Sequence, residues 1–185
     1  MVIGLSDPEA SADIVEACRR GDPDAFRALY EVYKDKVYSI ALYFFNGDPS
    51  AAGDVTQQVF LKLICGISKF RGESGFSTWL YRLVVNTCMD AARQAKPRVT
   101  INDVPLQAQS SNQEEEISRE QTARSVQAAL SGLPPKLRLP VLLRYFEDLS
   151  YAEMASAMNC SMGTVASRLS RGHKLLAREL GWLRK

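Results

Sequence analysis

Histidine is almost absent from this chain: His173 is the only one in 185 residues, and the four cysteines (Cys18, Cys65, Cys88 and Cys160) include no Cys-x-x-Cys pair. That inventory spells out neither a zinc site nor a disulfide framework, so no metal and no cofactor are expected. The cysteines read as small apolar residues in a reducing cytoplasm. Long hydrophobic runs are missing as well, since no stretch of ~18 apolar residues occurs. The opening MVIGLSDPEAS lacks the basic segment followed by an apolar one that marks a secreted chain. A soluble, unsecreted protein is expected. No segment alternates convincingly with period two, which leaves no candidate strand and points to an all-α protein. A phosphate-cradling glycine loop, a dinucleotide turn and an evident pair of pocket carboxylates are all missing, so neither an enzyme nor a small-molecule substrate is expected.

What is there is apolar enough to fold, at 46% hydrophobic and 24% charged residues, into one domain or two small ones. The net charge of +2 hides a division. Residues 1–93 carry 10 basic and 12 acidic side chains, whereas residues 121–185 carry 10 and 4. A basic C-terminal third suits contact with phosphates.

Spacings of three and four organise the chain into helices. Residues 13–20 form a short one closed by Gly21. Asp22 caps the next, with Pro23 at its first position, where a missing N–H costs nothing. Phe26, Leu29, Tyr30, Tyr33, Val37, Ile40, Ala41 and Phe44 then make a long apolar stripe. Asp48 and Pro49 repeat the start signal for a third helix, which turns Val55, Val59, Leu63 and Ile67 inward and Asp54, Gln57, Gln58 and Lys62 outward. Ser77 is expected to cap a fourth helix running to about residue 94.

Between residues 94 and 116 the pattern collapses into KPRVTINDVPLQAQSSNQEEE, with two prolines and little that forms a core. A second helical set starts near residue 117. The fold expected is therefore two small helical domains joined by a flexible linker: 1–94, a linker over 95–116, and 117–185.

Ser150 and Glu153 spell a capping box, after which Tyr151, Met154, Ala155 and Met158 are expected to face inward. Asn159 suits the left-handed residue that ends this helix, and Ser161 caps the next only two residues later. Helices joined so tightly cross steeply, as in a helix-turn-helix, and Ala155 and Gly163 are small enough for a close approach. Val165, Leu169, Gly172 and Leu176 form the buried stripe of the second helix. No acidic residue occurs from 164 to 178 on its other face, which favours DNA over an ordinary helical hairpin.

In the fourth helix, Leu80, Leu83, Val84, Thr87 and Ala91 form one stripe, leaving Trp79, Arg82, Asn86 and Arg93 on another. Aromatic and guanidinium planes stack on unpaired bases, and an asparagine amide both donates to and accepts from a base edge, so this face fits single-stranded DNA. The competing reading makes Trp79 a core residue near a helix start.

DAFRALYEVYKDKVYSIALYFF, DVTQQVFLKL, FRGESGFSTWLYRLVVNTCMDAAR, LPPKLRLPVLLRYFEDLSYAEMASAM and NCSMGTVASRLSRGHKLL, in that order, resemble the extracytoplasmic-function (group 4) sigma factors of bacterial RNA polymerase, within the sigma-70 superfamily. The resemblance spans nearly the whole chain apart from the first ten or so residues and the linker. It implies a promoter-recognition subunit whose N-terminal region 2 domain binds core polymerase and melts the -10 element, and whose C-terminal region 4 domain reads the -35 element. It implies that Asp54, Gln57, Gln58 and Phe60 dock on the coiled coil of the beta-prime clamp. The loop at 70–76 is then the segment that captures a flipped base, with Arg71 and Phe76 joining Trp79, Arg82, Asn86 and Arg93 on the -10 element. Thr164, Ser167, Arg168, Ser170, Arg171 and Lys174 are implied to contact the -35 element.

Two positions depart from the family pattern. Gln58 stands where the family commonly has Glu, and Ala166 where many relatives have Arg or Lys. Core RNA polymerase (through the beta-prime clamp and the beta subunit), promoter DNA and an anti-sigma factor are the implied partners. The implied location is the cytoplasm, with an anti-sigma partner able to hold the chain at the membrane.

Promoter elements two helical turns apart are separated by roughly 70 Å of duplex. An extended tether of about 23 residues reaches roughly 80 Å, though as a free coil it averages only ~25 to 30 Å. Polymerase rather than the linker is then expected to position the domains. A stand-alone helix-turn-helix regulator explains only the C-terminal third, and a helical adaptor leaves both basic faces idle.

Overall fold

The computed structural model describes residues 12–94 and 113–181, with side chains from residue 121 onward in the second stretch. Eight helices and no strand occur among the described residues: α1 (Ala12–Arg19), α2 (Pro23–Phe44), α3 (Pro49–Gly66), α4 (Phe76–Gln94), α5 (Gln113–Ser131), α6 (Pro135–Phe146), α7 (Tyr151–Ala157) and α8 (Met162–Glu179). A 3-10 turn, Ile67–Lys69, follows α3.

The start signals work as the residues dictate. Asp22 Oδ1 accepts from the backbone N–H groups of Asp24 and Ala25, and Asp48 Oδ1 from those of Ser50 and Ala51. Each cap satisfies N–H groups that have no partner inside the helix. Gly21, at φ +85°, makes the left-handed turn between α1 and α2 that a Cβ would strain.

The predicted stripes are buried. Leu29, Tyr33, Val37, Ile40, Ala41 and Phe44 of α2 meet Val55, Val59 and Leu63 of α3, with Leu80 and Val84 of α4 alongside. In the C-terminal part Leu139, Leu142 and Leu143 of α6 close on Val165 and Leu169 of α8. Full burial of each such side chain contributes roughly 1.5 to 3 kcal/mol.

Several local expectations are corrected. Tyr30 is exposed because its ring lies edge-on over Phe60 instead of entering the core. Ser77 is the second residue of α4, whose first turn closes with a bond from Trp79 N–H to Gly75 carbonyl. Tyr151 is exposed, and Ala157 takes the inward place beside Met154. Gly163 is exposed, with no close neighbour beyond Ser161 Oγ. The close approach falls at Gly172, where an added Cβ would stand 3.0 Å from Val141 Cγ2 on α6. The second helical set begins at Gln113, inside the expected linker; residues 95–112 lie outside the described residues.

The sequence left open how the two halves sit relative to one another. They are not merely tethered: α2 lies against α5 and α6, α4 against α6 and α7, and the buried residues of both halves belong to one continuous core. The rings of Tyr43 and Phe146 meet across this junction at 4.7 Å. Arg138, only 6% exposed, donates from Nη1 to Phe44 carbonyl and Asn46 Oδ1 on one side, and from Nη2 to Ser131 and Leu133 carbonyls on the other.

Candidate nucleic-acid interface

The helix-turn-helix is built by its caps. Glu153 and Ser150 satisfy one another in a complete capping box, Asn159 takes φ +48°, and Ser161 Oγ accepts from Thr164 N–H at 3.1 Å. With Val165, Leu169 and Gly172 buried, α8 must present its other face to solvent. Ser167, Ser170, Arg171 and Lys174 are exposed there.

Thr164 and Arg168 are half-buried and partly engaged in the turn. Thr164 Oγ1 lies 2.9 Å from Ser161 Oγ, and Arg168 Nη1 reaches Cys160 Sγ at 3.9 Å. The six predicted residues therefore share one helix face, but four of them are freely accessible. Met162, the first residue of α8, is 57% exposed beside them.

On α4, Arg82, Asn86 and Arg93 are exposed, while Trp79 is half-buried and Phe76 is buried. Phe70, Phe76 and Trp79 form an aromatic triangle with ring centroids 5.4 to 5.8 Å apart. Gly66 lies beneath the Trp79 ring, where a Cβ would stand in ordinary contact with Cζ2 at 3.5 Å. The Trp79 ring is thus anchored in a cluster and still reaches the surface. Phe76 is corrected from a contact residue to a support under the loop, because the first turn of α4 points its ring into the triangle. Arg71 is open, its side chain 83% exposed and 3.9 Å from Glu73. Arg93 folds back on its own helix, donating to Asp90 and to Met89 carbonyl.

Arg82 is engaged across the junction: Nε donates to Ser156 carbonyl at 3.2 Å and Nη2 to Ser156 Oγ at 3.1 Å. Tyr81 beside it donates to Glu147. The Arg82 side of α4 therefore sits under α7 of the helix-turn-helix.

On α3, Asp54, Gln57 and Gln58 are exposed as expected. Phe60 is corrected: it is 7% exposed and packs on Tyr30 at 4.8 Å. Leu61 and Ile64, 54% and 51% exposed, take the outward place that was expected of it. Their spacing of three within an otherwise polar face was the signal. Among the described residues no helix is long and apolar enough to cross a membrane.

Helical throughout its described residues, with a helix-turn-helix whose outer face has no acid for fifteen residues and an aromatic-and-amide face on a second helix, the molecule is a nucleic-acid-binding protein. Comparison with known proteins then identifies the family. The Sigma-70 region 2 model matches residues 29–98 and the Sigma-70, region 4 model residues 123–176. The chain is 34% identical to the ECF RNA polymerase sigma-E factor of Escherichia coli, over 93% of this chain and 95% of that protein. It is 33% identical to the RNA polymerase sigma-H factor of Pseudomonas aeruginosa, over 93% and 94%.

Among solved structures, CnrH in complex with the cytosolic domain of CnrY superposes with a TM-score of 0.71 at 21% identity, covering 93% of this chain and 97% of that one. The sigma factor RpoE of Bartonella quintana, in complex with the anti-sigma factor NepR, gives 0.69 at 19% identity, covering 84% and 96%. These two show the fold. The chain belongs to the extracytoplasmic-function sigma factors of the sigma-70 family, non-enzymatic subunits that direct promoter-specific transcription initiation by RNA polymerase.

Proposed function

We propose that the two halves divide promoter recognition between them. The part from residue 1 to 94 docks on core polymerase and opens the -10 element, residues 95–116 act as the link, and the part from 117 to 185 reads the -35 element. The observation that carries this reading is the acid-free face of α8, with Ser167, Ser170, Arg171 and Lys174 exposed along it. Arg171 and Lys174 supply phosphate or guanine contacts, and the serines supply short hydrogen bonds to base edges.

On the other half Asn86 reads an unpaired base, Trp79 supplies a stacking edge, and Arg71, Arg82 and Arg93 hold the strand. Asp54, Gln57 and Gln58, with Leu61 and Ile64 at their centre, dock the beta-prime clamp. An apolar centre within a polar rim is the composition such an interface needs.

The closed arrangement adds a step. Arg82 does not contact a strand while it holds Ser156, and halves in contact do not span elements roughly 70 Å apart. Core polymerase binding therefore has to separate them. An anti-sigma factor that favours the closed form keeps the chain inactive in the cytoplasm, or at the membrane if that partner is membrane-bound.

The test is transcription. The purified chain added to core RNA polymerase yields transcripts from promoters that core alone ignores, and selection from a randomised promoter library recovers two spaced elements. A chain that selects one element without polymerase is a stand-alone regulator instead.

A further inference from the structure

Lys62 is an outward residue of α3 that the clamp-docking face does not absorb. Its side chain leaves that face and reaches α4, where Nζ donates to Thr87 Oγ1 at 3.0 Å. Thr87 is fully buried and its own O–H is committed to Leu83 carbonyl at 2.8 Å, so it serves Lys62 only as an acceptor. A long side chain held on a neutral hydroxyl gives up in rotamer freedom about what the bond returns, so the contact adds little to folding. What it does is fix a cation in one place. One turn further along α3, Gly66 lies beneath the Trp79 ring, and the two contacts set one edge of α3 along the face of α4 that carries Trp79 and Asn86. Asn86 immediately precedes Thr87 and is exposed. Asp90, the acid one turn on from Asn86, is engaged by Arg93 at 2.5 Å. Among the described residues Thr87 is the hydrogen-bond partner of Lys62, which leaves two ammonium protons for an acceptor beside Asn86.

We propose that Lys62 holds the opened strand by the phosphate flanking the unpaired base that Asn86 reads. This rests on reading the Trp79 and Asn86 face of α4 as the surface for the melted -10 element. A strand that turns a base toward the asparagine amide carries its phosphates along the border of that face, and Lys62 stands on the border formed by α3. Helical spacing puts Arg82 and Arg93 on the other side of Asn86 from Thr87, so Lys62 completes a pair of cationic borders with the base reader between them. An ammonium is a point charge without a planar fork, and it holds a phosphate without distinguishing one base from another. Asn86 specifies the base, and Lys62 positions the strand.

The experiment uses core RNA polymerase reconstituted with the wild-type chain, Lys62→Gln, Lys62→Arg or Asn86→Ala, on promoters whose -10 element is a preformed bubble. Base changes locate the position whose preference Asn86→Ala relaxes. A neutral methylphosphonate then replaces each phosphate of the bubble strand in turn. Wild type binds about tenfold more weakly when a phosphate flanking that position is neutral. Lys62→Gln binds the unmodified bubble about tenfold more weakly, loses nothing further at that phosphate, and keeps every base preference, with a salt dependence shallower by about one phosphate. Lys62→Arg recovers the sensitivity to the flanking phosphate, which a packing defect over Thr87 would not allow. If Lys62→Gln stays as sensitive as wild type to every neutral phosphate while Asn86→Ala still relaxes one position, the role of Lys62 is overturned and the reading of α4 stands. Weaker binding of Lys62→Gln to core polymerase without DNA also overturns it, and puts Lys62 on the docking face instead. If Asn86→Ala relaxes no position and no neutral phosphate weakens the wild type, both are overturned.

Discussion

Arg138 Nη1 donates a 2.5 Å hydrogen bond to the carbonyl of Phe44, the last residue of α2 and 94 positions earlier in the chain. The same guanidinium ties Asn46 to the α5–α6 turn, and its Nε has no partner among the described residues. Burial lowers the Arg138 pKa to about 10, which still leaves it charged at neutral pH. A buried cation with this many carbonyl partners is costly to truncate, because each acceptor left dry loses its hydration as well as its bond.

Arg138→Met is accordingly expected to destabilise the protein by about 3 kcal/mol or more. Asn46→Gly, which keeps the φ of +60° at that turn, removes one of the several hydrogen bonds across the junction and costs about 1 kcal/mol. Thermal unfolding reads the first effect. Small-angle scattering reads the second, as a larger radius for Asn46→Gly at unchanged helix content. An unchanged radius in both variants would show that apolar contact alone closes the halves.

Opening the junction also exposes Arg82, so Ser156→Ala and Asn46→Gly together should raise binding of the free chain to single-stranded -10 DNA. Gel shifts without polymerase measure it. Wild type binds weakly at physiological salt, and equal weakness in the double variant removes the occlusion by α7 from the account.

Asn86→Ala and Trp79→Ala separate reading from support. Asn86 is exposed, so its loss leaves stability within about 0.5 kcal/mol of wild type and impairs open-complex formation by roughly 1 to 3 kcal/mol. Trp79→Ala empties the triangle with Phe70 and Phe76 and costs up to about 3 kcal/mol of stability as well. Trp79→Phe restores the packing. Preformed bubble templates should rescue Trp79→Phe more than Asn86→Ala if the indole wedges and the amide reads.

On α8, Arg171→Ala should cost about 1 to 3 kcal/mol of -35 binding by the holoenzyme. Ala166→Arg should strengthen it, steepening the salt dependence by about one phosphate if the new contact is to the backbone. Equal effects on intact and scrambled -35 templates would mean that this face holds DNA without reading it.

Thiol labelling tests the packing of α3 and α4. Cys65 is exposed, whereas burial pushes the Cys88 thiol up to about 12, so it stays protonated at pH 8. Alkylation at pH 8 should modify Cys65 quickly and Cys88 only after denaturation. Rapid labelling of Cys88 in the native protein would contradict the packing of α4 on α3.

Much of the fold was legible in short range. The Asp22–Pro23 and Asp48–Pro49 starts, the capping box at Ser150 and Glu153, and the left-handed Asn159 each depend on contacts within about four residues, which the sequence displays directly. The exposed face of α8 was legible for the same reason, since periodicity that buries Val165 and Leu169 turns Ser167, Ser170 and Arg171 outward.

The misplacements at Phe60, Tyr30 and Phe76 share another cause. A helical stripe is wider than the surface its neighbour covers, and which border residue is covered depends on the partner helix. Phe60 went under Tyr30, and Leu61 and Ile64 were left outside, because α2 crosses α3 at that edge.

By itself the sequence determined helix positions, caps, the helix-turn-helix and the family, because those follow from local spacing and residue chemistry. Only the tertiary structure decided that the halves close on one another, that Arg138 and Arg82 serve this junction, and that Lys62 of α3 reaches Thr87 of α4. Those contacts join residues up to 94 positions apart. Their formation depends on shape and on buried hydrogen-bond partners that no periodicity in a single chain records.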